Sequence, residues 1–356
     1  MRVTLLLAHE IEEYQQVMLM HELGHEVLSL GAYLRPSRPG DAGGLRPPLP
    51  QVPEHPALID AIGPDVEAAK RHLPDEVVEW TDVLIVHHLE HSWLVPQWER
   101  LRDRMRVIWR TVGQSTHANE WMMGPLRRQG LEVVRYSPAE WAIPDFAGAD
   151  ALIRFWMDPD EWCGWEGGDR VVTNVTQDLY RRSLADDGTL QPAGQQWTSW
   201  QFWEQATAGL PRMPAGPGSL AIDGGVGPLP LPEMHALLRS ARAYLYTGTQ
   251  PASYTLGFIE ALMTGIPLVS IGPAWHRIQP YGPGMFEAHL LSQLWSDRPS
   301  EARAMLQRLL DDDAWAAEVS AAQREAAIGL FGKDAIRAQW AEYLGAAVPA
   351  RELVPA

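Results

Sequence analysis

The stretch from Arg242 to Pro273 constrains this 356-residue chain more than any other. Ala243 to Tyr246 is a short apolar run rich in β-formers, and the turn residues Thr247, Gly248, Thr249, Gln250 and Pro251 end it. Ser253 or Thr255 then caps a helix in which Leu256, Ile259 and Met263 recur at helical spacing, with Phe258 and Leu262 widening the stripe. Gly265 stops the helix, and Pro267 opens a second buried strand that runs to Ile271. Strand, loop, helix and strand in this order make one crossover of a parallel sheet.

Glu260 is out of place in that unit. It lies mid-helix among apolar or small neighbours, where an unpaired carboxylate carries a large desolvation cost, so it needs a dedicated partner. Two partners fit: an arginine from elsewhere in the fold, or a pair of adjacent hydroxyls such as those of a ribose. The helix start above it offers free N–H groups and the positive end of the dipole, which suits a phosphate. The second choice describes a nucleotide pocket. In it Thr247, Gly248, Thr249 and the N–H groups at Tyr254, Thr255 and Leu256 surround a diphosphate, and Glu260 holds the ribose.

The segment Tyr254 to Val269, reading YTLGFIEALMTGIPLV, resembles the nucleotide-sugar motif of the GT-B glycosyltransferases. It is similar in particular to the retaining family-four type, whose pattern is Glu, seven residues, then Glu-Ala-Met-Ala-x-Gly-x-Pro-Val-Val. The second Glu of that pattern falls on Glu260. The first falls on Ala252, so the carboxylate that contacts the transferred sugar in that family is missing here, and the stereochemical outcome stays open. The opening of the chain, a strand, a helix, then Gly24-His25-Glu26-Val27 and a strand, is also similar to the first domain of many GT-B enzymes.

The resemblance implies an α/β protein of two Rossmann-like domains facing across a cleft. Residues 1–148 would form the acceptor domain, rejoined by a C-terminal helix of about 334–356, and residues 149–333 the nucleotide-sugar domain. It implies transfer of a sugar from a nucleotide-diphosphate sugar, a UDP-sugar first among them, to a hydroxyl of a small molecule or saccharide, with no metal. In the family an Arg and a Lys after the first strand of the second domain bind the diphosphate; here that loop offers Arg181 and Arg182. The turn at Gly225 would let the base approach the backbone, although an ordinary tight turn explains that glycine as well.

Composition narrows the alternatives. A net charge of −16 argues against a broad phosphate-binding face, and so against the phage-type enzymes of this architecture that glycosylate a hydroxymethylated base in DNA. A nucleotide-sugar epimerase or hydrolase, or a non-catalytic binder, remains compatible with the motif. The single cysteine, Cys163, excludes an internal disulfide and a CxxC metal site and fits a cytoplasmic home. No stretch approaches the ~20 apolar residues of a membrane span. The run Val3 to Ala8 reads as a first strand rather than a signal peptide. Of the 16 tryptophans, Trp141, Trp156, Trp162, Trp165, Trp197, Trp200 and Trp203 bunch in the middle of the chain, where packing or stacking on a ring accounts for them.

Ligands of open parallel sheets sit beyond the carboxyl ends of the strands. On that criterion His9, Glu10, His88 and His117 are the catalytic candidates of the first domain, each following a predicted strand. Were the enzyme inverting, His9 or His88 would act as the general base, with Glu10 behind them. The strand DVLIVH from Asp82 would deliver His87 and His88 into the same loop. From Leu34 to Pro56 the chain is rich in Pro and Gly and reads as a long loop. Ser219 to Ile222 is expected as a strand, and Phe286 to Leu344 as mostly amphipathic helix.

Overall fold

Strands covered on both faces read as unbroken apolar runs. Val83–His87, Ala241–Tyr246 and Leu268–Ile271 do so, and every residue in them is buried. The computed structural model describes residues 1–7, 10–31, 56–87, 91–113, 117–141, 143, 146–175, 200–216, 218–248, 252–274 and 286–345. They form two compact α/β units, one of Met1–Arg154 with Ile336–Ala356 and the other of Phe155–Ala335.

The first unit holds strands β1 (Arg2–Leu6), β2 (Glu26–Ser29), β3 (Val83–His87), β4 (Arg106–Arg110), β5 (Glu132–Arg135) and β6 (Ala151–Leu152). They pair in parallel in the order β2-β1-β3-β4-β5-β6. Helices α1 (Glu10–Glu22), α2 (Pro56–Ile62), α3 (Val66–Arg71), α4 (Asp75–Trp80), α5 (His91–Leu101), α6 (His117–Arg128) and α7 (Pro138–Trp141) connect them. Leu28, Leu84, Val86, Trp98, Trp109 and Met123 belong to its apolar core.

The second unit holds β7 (Asp169–Val175), β8 (Arg212–Ala215), β9 (Ala241–Tyr246), β10 (Leu268–Ile271) and β11 (Trp295–Ser296), again all parallel, in the order β11-β10-β9-β7-β8. Its helices are α8 (Trp200–Thr207), α9 (Leu231–Ser240), α10 (Leu256–Thr264), α11 (Ala288–Ser292), α12 (Pro299–Asp311) and α13 (Asp313–Phe331). Gln323 of α13 fixes the start of β10, accepting from Leu268 N and donating to Leu268 O, each at 2.8 Å.

The last helix, α14 (Lys333–Gly345), continues into the first unit. Arg106 at the start of β4 donates to the carbonyls of Tyr343 and Leu344 at 3.1 and 3.2 Å, and forks onto Glu132 at 2.8 and 2.9 Å. Tyr343 completes the group by donating its hydroxyl to Glu132. About one turn earlier in the helix, Trp340 lies under the Arg110 guanidinium.

One expectation fails, and another holds with one exception. Ser219–Ala221 is a single 3-10 turn, and the strand of that region is β8, which ends just before it at Ala215 and has Pro214 inside it. Proline removes a ladder donor and disguises a strand, and β8 tolerates it because it is the sheet's edge. The stretch after Phe286 is mostly helix, as expected, except that Trp295–Ser296 pairs with β10 as the opposite edge. Among the crowded tryptophans, Trp156, Trp162 and Trp203 are core side chains.

Candidate functional site at the carboxyl edge of the second sheet

In the second sheet β7 runs outward to β8, while the chain returns on the other side of β7 as β9, so the strand order reverses between β7 and β9. A crevice opens outside the carboxyl ends of such strands. Asn174 and Val175 stand at the end of β7, and Tyr246, Thr247 and Gly248 at the end of β9. Gly248 turns the chain with φ at 75°, a conformation side chains rarely adopt. The segment then enters α10 through Thr255.

Thr255 is the N-cap of α10 in extended backbone, and its side chain makes no capping bond. The first N–H groups of the helix are therefore not taken up by their own cap. Thr255, Leu256 and Gly257 are half-exposed, whereas every residue from Phe258 to Thr264 is buried. Tyr254, 1% exposed, packs its ring against Phe155, Phe258 and Phe331, so only its backbone faces the helix start. Glu260 lies just over one turn along, 4% exposed, close enough to β9 for its charge to act on the Tyr244 hydroxyl. A Cβ on Gly257 would stand 3.1 Å from Val175 O, 3.7 Å from the Tyr244 hydroxyl and 4.0 Å from Glu260 Oε2.

Two tyrosines of β9 support this corner. The Tyr244 hydroxyl is bonded to the backbone N and O of Val175 at 3.0 and 3.1 Å. Burial pushes its ionisation far upward, with Tyr246 and the Glu260 charge adding to the effect and the Val175 bond opposing it. Tyr246 is also pushed upward by burial; its hydroxyl lies near Thr255, which pulls the other way, without hydrogen-bond alignment. Asn174 ties the two strand ends together, its Nδ2 donating to Leu245 O at 2.5 Å and reaching Thr247 Oγ1 at 3.4 Å. That orientation turns Oδ1 away from Leu245, and Oδ1 is buried with no hydrogen-bond partner among the described residues.

Thr247, Gly248, Tyr254, Thr255, Leu256 and Glu260 thus stand around one end of one sheet. Gly225 is explained nearer home, since a Cβ there would lie 1.7 Å from Ser219 O, inside its own turn. Thr249, Arg181, Arg182, His9 and His88 lie outside the described residues, and of Glu10 only the helical backbone is described. His87 does not enter a loop; it is the last residue of β3 and 1% exposed. Arg110 and Thr111 are also buried, Arg110 donating to Ile153 O at 2.9 Å. His117 packs edge-on against Phe146. Sequence reasoning passed over Asn174, whose one signal is a polar residue near the end of a buried strand. Among the described residues no group of three or more His, Cys, Asp or Glu is placed to hold a metal ion, and no helix is long and apolar enough to cross a membrane.

No protein-family model matches the chain, and no curated protein does. Solved structures do. Sucrose-phosphate synthase of Thermosynechococcus elongatus superposes with a TM-score of 0.65 at 14% identity, over 97% of this chain and 98% of that one. HepE of Anabaena, solved with UDP and glucose, gives 0.60 at 13% identity over 97% and 99%. A glycosyltransferase of Rickettsia africae gives 0.60 at 10% identity over 96% and 97%. The chain has the GT-B fold. In this GT-B chain the polar residues around α10 occupy the switch point of the second sheet, the place where an open parallel sheet offers a ligand backbone amides and a helix dipole together.

Proposed function

We propose that the chain is a glycosyltransferase that takes its sugar from a nucleoside diphosphate sugar, held by the second unit. One observation carries the reading: the start of α10 is half-exposed and uncapped at the β7/β9 switch point, with the buried Glu260 carboxylate about one turn along. HepE, alike in fold, has been solved with UDP and with UDP-glucose, which favours a UDP-sugar as donor.

In this reading Thr247, Gly248, Thr249 and the N–H groups of Tyr254, Thr255 and Leu256 hold the diphosphate, and Arg181 or Arg182 adds positive charge. Glu260 accepts hydrogen bonds from the two ribose hydroxyls, and the turn at Gly225 borders the base. Negative charge grows on the diphosphate as the glycosidic bond breaks, so the helix dipole, backbone amides and arginine stabilise the leaving group with no metal required. In an inverting reaction His9 or His88, with Glu10 behind, takes the proton of the acceptor hydroxyl. The acceptor is a small molecule or saccharide, because a net charge of −16 opposes a nucleic acid.

A thermal-shift panel of UDP-, GDP- and ADP-sugars tests the reading. A ligand at a hundredfold excess over its Kd stabilises the folded chain by about 2.7 kcal/mol, and UDP compounds should give the largest shift. Glu260→Gln should abolish most of that shift. A panel with no shift anywhere, or a Glu260→Gln protein that responds as the wild type does, would sink the proposal.

A further inference from the structure

The first unit has its own switch point, between β1 and β3, and buried polar side chains gather there that the nucleotide site does not use. His87 ends β3 at 1% exposure, and neither of its ring nitrogens makes a hydrogen bond among the described residues. Its Nδ1 approaches Glu12 Oε2 of α1 at 3.3 Å, close but not aligned as a hydrogen bond. One turn farther along α1, Gln16 is 5% exposed, and its amide nitrogen likewise lacks a partner among the described residues. Lys70 of α3, 1% exposed, holds the end of β1 by donating to Leu7 O at 3.3 Å.

Buried polar groups are almost always satisfied, so orphaned ones at a switch point call for an occupant that the described residues do not supply. The donor set says what kind. The Glu12 carboxylate, 3.3 Å from Nδ1, favours the imidazole proton on that nitrogen, which leaves Nε2 of His87 as an acceptor, while the Gln16 amide nitrogen is a donor. A hydroxyl answers both, donating to the imidazole and accepting from the amide. A carboxylate cannot donate, and a carboxylate or a phosphate alike would meet the Glu12 charge.

We propose that Glu12, Gln16 and His87 form an internal subsite that binds a hydroxyl of a polyhydroxylated ligand, a pyranoside or a cyclitol. Naming that ligand as the sugar acceptor rests on the glycosyl-transfer reading; the subsite itself does not.

Saturation-transfer NMR on the full chain tests it, with methyl α-glucopyranoside, methyl β-galactopyranoside and myo-inositol as probes. The wild type should bind at least one of them. Gln16→Leu and His87→Phe should bind it about tenfold more weakly, the loss of one net hydrogen bond, while melting no lower than the wild type because a buried orphan has been removed. Should leucine not be accommodated there, Gln16→Met keeps the length and unbranched shape, removes the donor and is read in the same way. The UDP thermal shift, measured on the same samples, reports the donor site separately: its failure sinks the donor assignment, and its persistence with no probe binding sinks the subsite alone. The subsite is also overturned if the variants bind the probe as the wild type does, or if they melt lower with probe binding unchanged, as loss of a structural water would cause.

Discussion

Gly257 stands so close to Val175 that a Cβ on it would lie 3.1 Å from the Val175 carbonyl oxygen. That spacing seats the half-exposed start of α10 directly against the end of β7. Few side-chain contacts are this tight, and the neighbour here is backbone that Tyr244 already holds at 3.0 and 3.1 Å. Gly257→Ala sets two effects against each other. Alanine favours the helix by roughly 0.5–1 kcal/mol, yet the added methyl pushes the helix start away from the strand. Stability should change by less than about 1 kcal/mol while UDP affinity falls roughly tenfold. Unfolding curves and UDP titration on one variant measure both, and unchanged affinity would show that the seating of α10 does not set the site.

Asn174 supports the next prediction. Its Nδ2 bonds to Leu245 O, so truncation leaves a buried carbonyl unsatisfied and frees the ends of β7 and β9 from each other. Asn174→Ala should cost about 1–3 kcal/mol of stability and weaken UDP-sugar binding. Asn174→Asp should cost more, because a carboxylate oxygen would then face the Leu245 carbonyl. Urea unfolding of the pair decides it; an aspartate variant as stable as the wild type would mean that Asn174 does not tie the strands.

The crossover from β9 through α10 to β10 was legible because its signals are local: a buried run, a turn, a helical stripe, a glycine stop and a second run. The edge strand β8 was not, since Pro214 argues against a strand and only the sheet order shows why it is tolerated. Helices α3 and α4, of six residues each, are too short for periodicity to reveal. The site divides in the same way. Glu260 announces itself as a charge in an apolar helix. Asn174 becomes meaningful only beside Leu245 and Thr247, and His87 only beside Glu12, partners that folding alone brings together. At Gly225 the crowding of its own turn requires a glycine whether or not a base lies beside it, so the residue type alone is no signal of a site.

Arg106 and Glu132 anchor α14 to the first sheet, with side chains 15% and 8% exposed. Removing one partner of a buried pair leaves the other charged and uncompensated, so Arg106→Met should cost roughly 3 kcal/mol. Replacing both, as Arg106→Met with Glu132→Leu, should recover much of that loss. The check is a double-mutant cycle by chemical denaturation, in which additive losses would deny the coupling.

His87 gives the fold a dependence on acid. Burial is the main force holding its imidazole neutral and the Arg110 charge adds to it, against the opposite pull of Glu12 at 3.3 Å. A histidine whose folded pKa lies well below its unfolded value of about 6.5 lets the unfolded chain bind the extra proton first. Its contribution is therefore complete above about pH 6.5 and is lost on acidification below it, by up to about 1.4 kcal/mol per unit. Denaturant unfolding of the wild type and His87→Phe, followed from pH 7 to about pH 5, should show the wild type losing stability more steeply, by up to about 2 kcal/mol over that range. Titrations common to both proteins cancel in the difference. Parallel curves would mean that His87 is already protonated in the fold, with Glu12 outweighing burial, and the acceptor role of Nε2 would go with it.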